Sequence, residues 1–149
     1  MATHYSGLVV WQLGDAIRSE VFRWTGRSPF SADFKRKSQI EDAADSVCRN
    51  ISEGFAGTHA VFANYLRIAR RSLNEVEDCS RSARLKGYIS PSEQQTVLQL
   101  VRRLQPAFAR LIAYLEHTPD PRRSDARVDA ASRQSPDRPQ QNKNRSRRS

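Results

Sequence analysis

Residues 44–54, ADSVCRNISEG, set a hydroxyl, an amide and a carboxylate at a spacing that lets side chains act together. Ser46, Asn50 and Glu53 are four and three residues apart, so on a helix they stack along one face. Such a set offers donors and acceptors either to a ligand or to a neighbouring helix. No histidine, activated cysteine or metal-spaced pair accompanies it. The three residues are therefore read as a structural polar ridge that holds helix register. Glu20 raises the same question, because periodicity places it on an apolar face between Leu13, Ile17 and Trp24. It fits a general base of raised pKa. It also fits a carboxylate satisfied by a neighbouring helix through Asn50 or Arg49. The second role is expected, since buried polar groups are normally paired.

The remaining reactive residue types are sparse. His4, His59 and His117 include no pair at ligand spacing, so neither a metal site nor a cofactor site is expected. Cys48 and Cys79 each fall inside a helical pattern and read as buried thiols, which suits a reducing cytoplasm. The start of the chain shows no basic region followed by an apolar run, and no stretch approaches the ~18 apolar residues of a membrane span. The expected protein is cytoplasmic, away from the membrane, and not an enzyme.

Charge is the stronger functional signal. Lys and Arg number 25 against 16 Asp and Glu, for a net +9. The excess divides into +4 on residues 1–118 and +5 on residues 119–149. A basic chain of this kind suits an anionic partner such as RNA or DNA, although similar charge also serves solubility. Arg67, Arg70, Arg71 and Arg81 fall away from the apolar seam of the third helix and are nucleic-acid-binding candidates. Glu77 and Asp78 share their face, four and three residues before Arg81, so an ion-paired solvated surface is the competing reading. Arg145, Arg147 and Arg148 add flexible positive charge for nonspecific affinity, without the aromatics a stacking platform needs.

Four amphipathic helices must position these groups. Apolar residues recur at three and four from Val9 to Trp24, and Gly26 ends that helix. The stretch GRSPFSADFKRK reads as a loop pinned by Phe30 or Phe34. SQIE matches a capping box, so a second helix is predicted from Ser38, with Gly54 and Gly57 as its stop signals. Thr58 caps a third helix running to about Lys86, some 42 Å long. Ser90, Pro91 and Glu93 open a fourth helix that runs to His117, with Pro106 opposite its apolar stripe. The fold class is all-α, an antiparallel up-down four-helix bundle over residues 1–118. Residues 119–149, rich in Arg, Pro and Ser and poor in large apolar residues, are predicted to be a disordered basic tail.

LVVWQLGDAIRSEVFRWT, AADSVCRNISEG and FANYLRIARRSLNEVEDCSRSARLKGYIS together resemble the four-helix bundle proteins related to the intervening-sequence protein of bacterial 23S ribosomal RNA genes. Trp11, Ser46, Asn50, Ile51, Glu53, Gly54, Ile68, Ala69, Ser72 and Glu75 stand at matching positions, while Arg71 replaces the glycine usual before the third-helix serine. The resemblance implies a fold and no catalytic residues. Relatives are similar to the accessory subunit of diversity-generating retroelements, a basic pentameric barrel that associates with a reverse transcriptase and nucleic acid. A homopentamer is accordingly the expected assembly. Independently, apolar and small residues sweep about 160° of the third helix, wider than the roughly 100° a core-facing stripe needs. Ile68 and Cys79, at the far edge, are the candidate oligomer-interface residues. The expected function is a noncatalytic self-assembling bundle that binds nucleic acid, RNA first. The alternative is an oligomeric adaptor with a protein partner and no nucleic-acid role.

Overall fold

The computed structural model describes residues 2–121. The 119–149 tail therefore lies outside the described residues from 122 onward, and with it Arg145, Arg147 and Arg148. Four helices make up the fold: α1 (Val9–Thr25), α2 (Phe34–Phe55), α3 (His59–Leu85) and α4 (Pro91–His117). Each packs on the next and α4 returns to α1, so the bundle closes around one core. Pairings descend along each partner: Thr25 meets Glu41 while Arg18 meets Asp45, and Gly54 meets Phe62 while Ser46 meets Ser72. Neighbouring helices are thus antiparallel, as short connections require.

The core follows the apolar periodicity. Val10, Ile17, Val21 and Trp24 of α1, Ile40, Ala44, Val47 and Ile51 of α2, Leu66, Ala69, Leu73 and Val76 of α3, and Val97, Leu104 and Phe108 of α4 are all buried. Burying a large apolar side chain contributes roughly 1.5–3 kcal/mol, so this shared interior is the main driving force for the fold. Thr58 caps α3 by accepting from the Val61 amide, and Gly87 takes the left-handed φ of +76° just past the end of that helix. Pro106 is exposed, with the buried Leu104 and Phe108 on the opposite side of α4. No helix among the described residues is long and apolar enough to cross a membrane.

One helix boundary differs from the sequence reading. The second helix begins at Phe34, not Ser38, because Asp33 caps it by accepting from the Arg36 amide at 3.3 Å. Asp is as good an N-cap as Ser, and here tertiary partners reinforce it. The Tyr88 hydroxyl donates to Asp33 Oδ2 at 2.8 Å, and Arg36 pairs with the same oxygen at 3.2 Å. These contacts, the Tyr88 bond foremost, hold the Asp33 carboxyl below its ordinary range. Glu41 of the supposed capping box instead accepts from Thr25 Oγ1 and ties α1 to α2. Phe30 pins the preceding loop, buried with its ring 4.9 Å from Tyr88, whereas Phe34 is 76% exposed. The end of α2 falls at Phe55, between the two expected stop glycines, with Ala56 as C-cap. Gly54 sits in the last turn of the helix, where a Cβ would come within 2.6 Å of Tyr65 Cβ and 2.9 Å of Phe62 Cδ2. Its role is close approach of two helices.

Glu93 closes the far corner. It completes the capping box of α4 and takes a two-pronged ion pair from Arg27, with Nη1 to Oε2 at 2.8 Å and Nη2 to Oε1 at 3.1 Å. The Arg27 bond foremost, then the Ser90 amide, lower its pKa from 4.5 to about 2. A carboxylate with a depressed folded-state pKa stabilises fully above its unfolded value and loses that contribution as pH falls through the folded one. Thermal melts of parent and Glu93→Gln should therefore show the parent more stable at neutral pH. The gap should narrow between pH 4.5 and about 2. A gap that widens on acidification would refute the assignment.

Candidate functional site

Ser46 and Asn50 of α2 meet Ser72 of α3 in a polar seam inside an otherwise apolar interface. Asn50 is nearly buried and donates from Nδ2 to the Ser46 carbonyl at 2.8 Å and to Ser46 Oγ at 2.9 Å. The two serine hydroxyls lie 2.7 Å apart, and Ser72 Oγ donates to the Ile68 carbonyl at 3.2 Å. Each hydroxyl has one hydrogen. That of Ser72 is committed to Ile68, so Ser46 is the donor between the serines. The chain runs Asn50 to Ser46 to Ser72 to backbone, and no hydroxyl hydrogen is left for chemistry.

The ridge read from sequence is therefore shorter, and joined differently, than expected. Asn50 does not bridge helices; it braces Ser46 from within α2, and the serine pair makes the crossing. Glu53 is exposed and stands outside the network. Glu20 is half-buried, but its partner is Arg23 one turn along α1, not Asn50 or Arg49 of α2. A partner three residues away is cheap to organise, and it leaves neither carboxylate enclosed beside the other. Ser72, the third member of the network, was singled out only through the family resemblance; its place beside Ala69 and Leu73 on the seam was the available signal.

The thiols are not poised for reaction. Burial pushes the Cys48 thiol up to about 11, and burial likewise raises that of Cys79. Among the described residues no group of three or more His, Cys, Asp or Glu is placed to hold a metal ion. A cleft of about 900 Å³ at the start of α3 is lined by His59, Asn64, Arg67, Glu116, His117 and Asp120. Within it Arg67 pairs with Glu116, and Asp120 accepts from the His59 backbone amide at 2.9 Å.

The arginines of α3 divide. Arg67 bonds Asn64 and Glu116, Arg70 donates to Gln105 at 3.4 Å, and Arg81 pairs with Glu77 at 3.2 Å. Arg71 is exposed and has no ion-pair or side-chain hydrogen-bond partner among the described residues. The expected Glu77–Arg81 pair is present, whereas the ties of Arg67 and Arg70 to α4 join residues 49 and 35 apart in sequence. Arg102, Arg103 and Arg110 of α4 form a further basic group, exposed and likewise without side-chain partners among the described residues. The signal was available, because residues 94–115 contain no Asp or Glu. On the other flank of α3, Val61 and Ile68 are 42% and 41% exposed, with Cys79 half-buried at the same angular position.

Four antiparallel amphipathic helices around one core, with a hydrogen-bonded polar seam between the middle two, make this chain an all-α four-helix bundle. The family model described as 23S rRNA-intervening sequence protein matches residues 6–109, from before α1 into α4, and the chain belongs to that family. No curated protein matches it.

A double-mutant cycle on Ser46→Ala and Ser72→Ala should show each single change costing about 0.5–1.5 kcal/mol, the usual worth of one hydrogen bond. The double change should cost less than the sum of the two singles. Additive losses in chemical denaturation would show that the seam does not couple α2 to α3.

Proposed function

We propose that this chain is a noncatalytic bundle that assembles with copies of itself and binds nucleic acid, RNA first, through surface charge. The observation that carries this reading is the division of its surface. One edge of α3 leaves Val61 and Ile68 open beside Cys79, while α4, diagonally across the bundle from α2, presents arginines without an acid among them. An open apolar edge on a small bundle favours burial by a like edge. Unpaired arginines favour a polyanion. Self-contact along the α2–α3 side leaves α4 facing water, so both activities are compatible in one assembly. A ring of five is the assembly that the family resemblance supports. Two free thiols suit a reducing cytoplasm.

A second reading, an oligomeric protein adaptor, draws on the mixed-sign face of α3, where Arg81 pairs with Glu77 and Arg67 with Glu116. Two measurements decide. Native mass should exceed the 17.0 kDa of one chain several-fold and fall toward it for Ile68→Asp. Filter binding to structured RNA should be tight at low salt and weaken steeply as salt rises, because counterions are released on binding. No binding at low salt would sink the nucleic-acid reading. A partner retained from lysate after nuclease digestion would favour the adaptor.

A further inference from the structure

The outward face of α4 carries an ordered row. Thr96, Arg103, Arg110 and His117 recur every seven residues and are all exposed. A heptad step on a straight helix drifts only ~20° in angle and advances about 10.5 Å, so the four side chains form one slightly slanted line. Between Arg110 and His117, at four and three residues from them, stands Tyr114, 44% exposed. Its ring is 6.3 Å from that of His59 at 47°, which supports one edge and leaves the remainder open. No acid interrupts residues 94–115. Three nearby carboxylates are already engaged, Glu20 by Arg23 on α1, Glu77 by Arg81 on α3 and Glu116 of α4 by Arg67, while Asp78 of α3 stays exposed.

From this placement we infer that the outer face of α4 is a binding track for single-stranded nucleic acid, with Arg103 and Arg110 holding phosphates and Tyr114 stacking a base. The inference rests on the nucleic-acid reading above and narrows it to one surface and one strand state. The interval between the arginines matches about three nucleotides at the 3.4 Å rise of a stacked strand. Guanidinium groups without carboxylate partners are free to engage phosphate oxygens. An open aromatic beside cations is the arrangement on which an unpaired base stacks, and in a duplex the base faces are not available to it. Phosphates and base faces are common to RNA and DNA, so this surface binds either.

The test uses the full chain and one mixed-sequence labelled oligonucleotide, as single-stranded RNA, as single-stranded DNA and as the DNA duplex, titrated over a range of salt. Arg103→Gln/Arg110→Gln should lower the slope of log affinity against log salt by about 1.4, at roughly 0.7 per lost contact. Tyr114→Ala should weaken both single strands on the order of tenfold, leave the salt slope and duplex affinity unchanged, and be rescued by Tyr114→Phe. Because all three side chains are exposed, the variants should melt with the parent, which controls for folding. A parent that binds while both variants bind equally well overturns the α4 track and leaves the nucleic-acid reading standing. Failure of DNA to bind where RNA does, or equal loss on the duplex for Tyr114→Ala, also overturns it. A parent that binds no oligonucleotide at low salt removes the broader reading and this one with it.

Discussion

The close approach of α2 to α3 is the constraint on which the rest of the bundle depends. At Gly54 a methyl group would crowd Tyr65 and Phe62, so the absence of a side chain there lets the two helices approach closely. Two turns back, the Ser46–Ser72 hydrogen bond sets which residue faces which. Apolar packing alone tolerates slippage of a helix along its neighbour, because one Leu or Val replaces another at little cost. A buried hydroxyl pair does not, since a shift strands polar groups at a cost of about 1–3 kcal/mol each. Close contact and polar register at separate points on one interface leave a single alignment, and α1 and α4 then close the ring over the core so defined.

The ends of the bundle use charge for the same purpose. Asp33 gathers Tyr88 and Arg36 and ties the start of α2 to the turn between α3 and α4. Glu93 joins the start of α4 to the loop after α1 through Arg27. In both cases a carboxylate already required as a helix cap also receives a distant partner, so one desolvated group satisfies local and tertiary demands. Arginines on α3 that face α4 are drawn into similar ties. Among the described residues, those on the outer side of α4 make no ion pair, and their charge faces solvent.

Much of this was legible in the sequence. Apolar residues at intervals of three and four placed all four helices and most of the core, because burial of one helical face is a local pattern written in consecutive residues. The α3 and α4 caps at Thr58 and Ser90 were equally plain. The start of α2 was misread because SQIE and Asp33 are both sound capping signals. Only the position of Tyr88, 55 residues away, distinguishes them. Glu20 was assigned a partner across the interface for want of knowing that Arg23, one turn along, reaches it first. The cationic character of α4 is written as an acid-free run over residues 94–115, a weaker local signal than the denser arginines of α3.

The sequence by itself determined the number of helices, their apolar faces, the family and the basic balance of the chain. All of these depend on residue type and short-range spacing. The tertiary structure alone decided which polar groups are used up. Asn50 and Ser72 are consumed in a seam and Arg67 in a tie to Glu116, whereas Arg103, Arg110 and Tyr114 remain open. The physical reason is that a hydrogen bond or ion pair across helices depends on distances of a few ångströms between residues far apart in the chain. Those distances are set only when the helices pack.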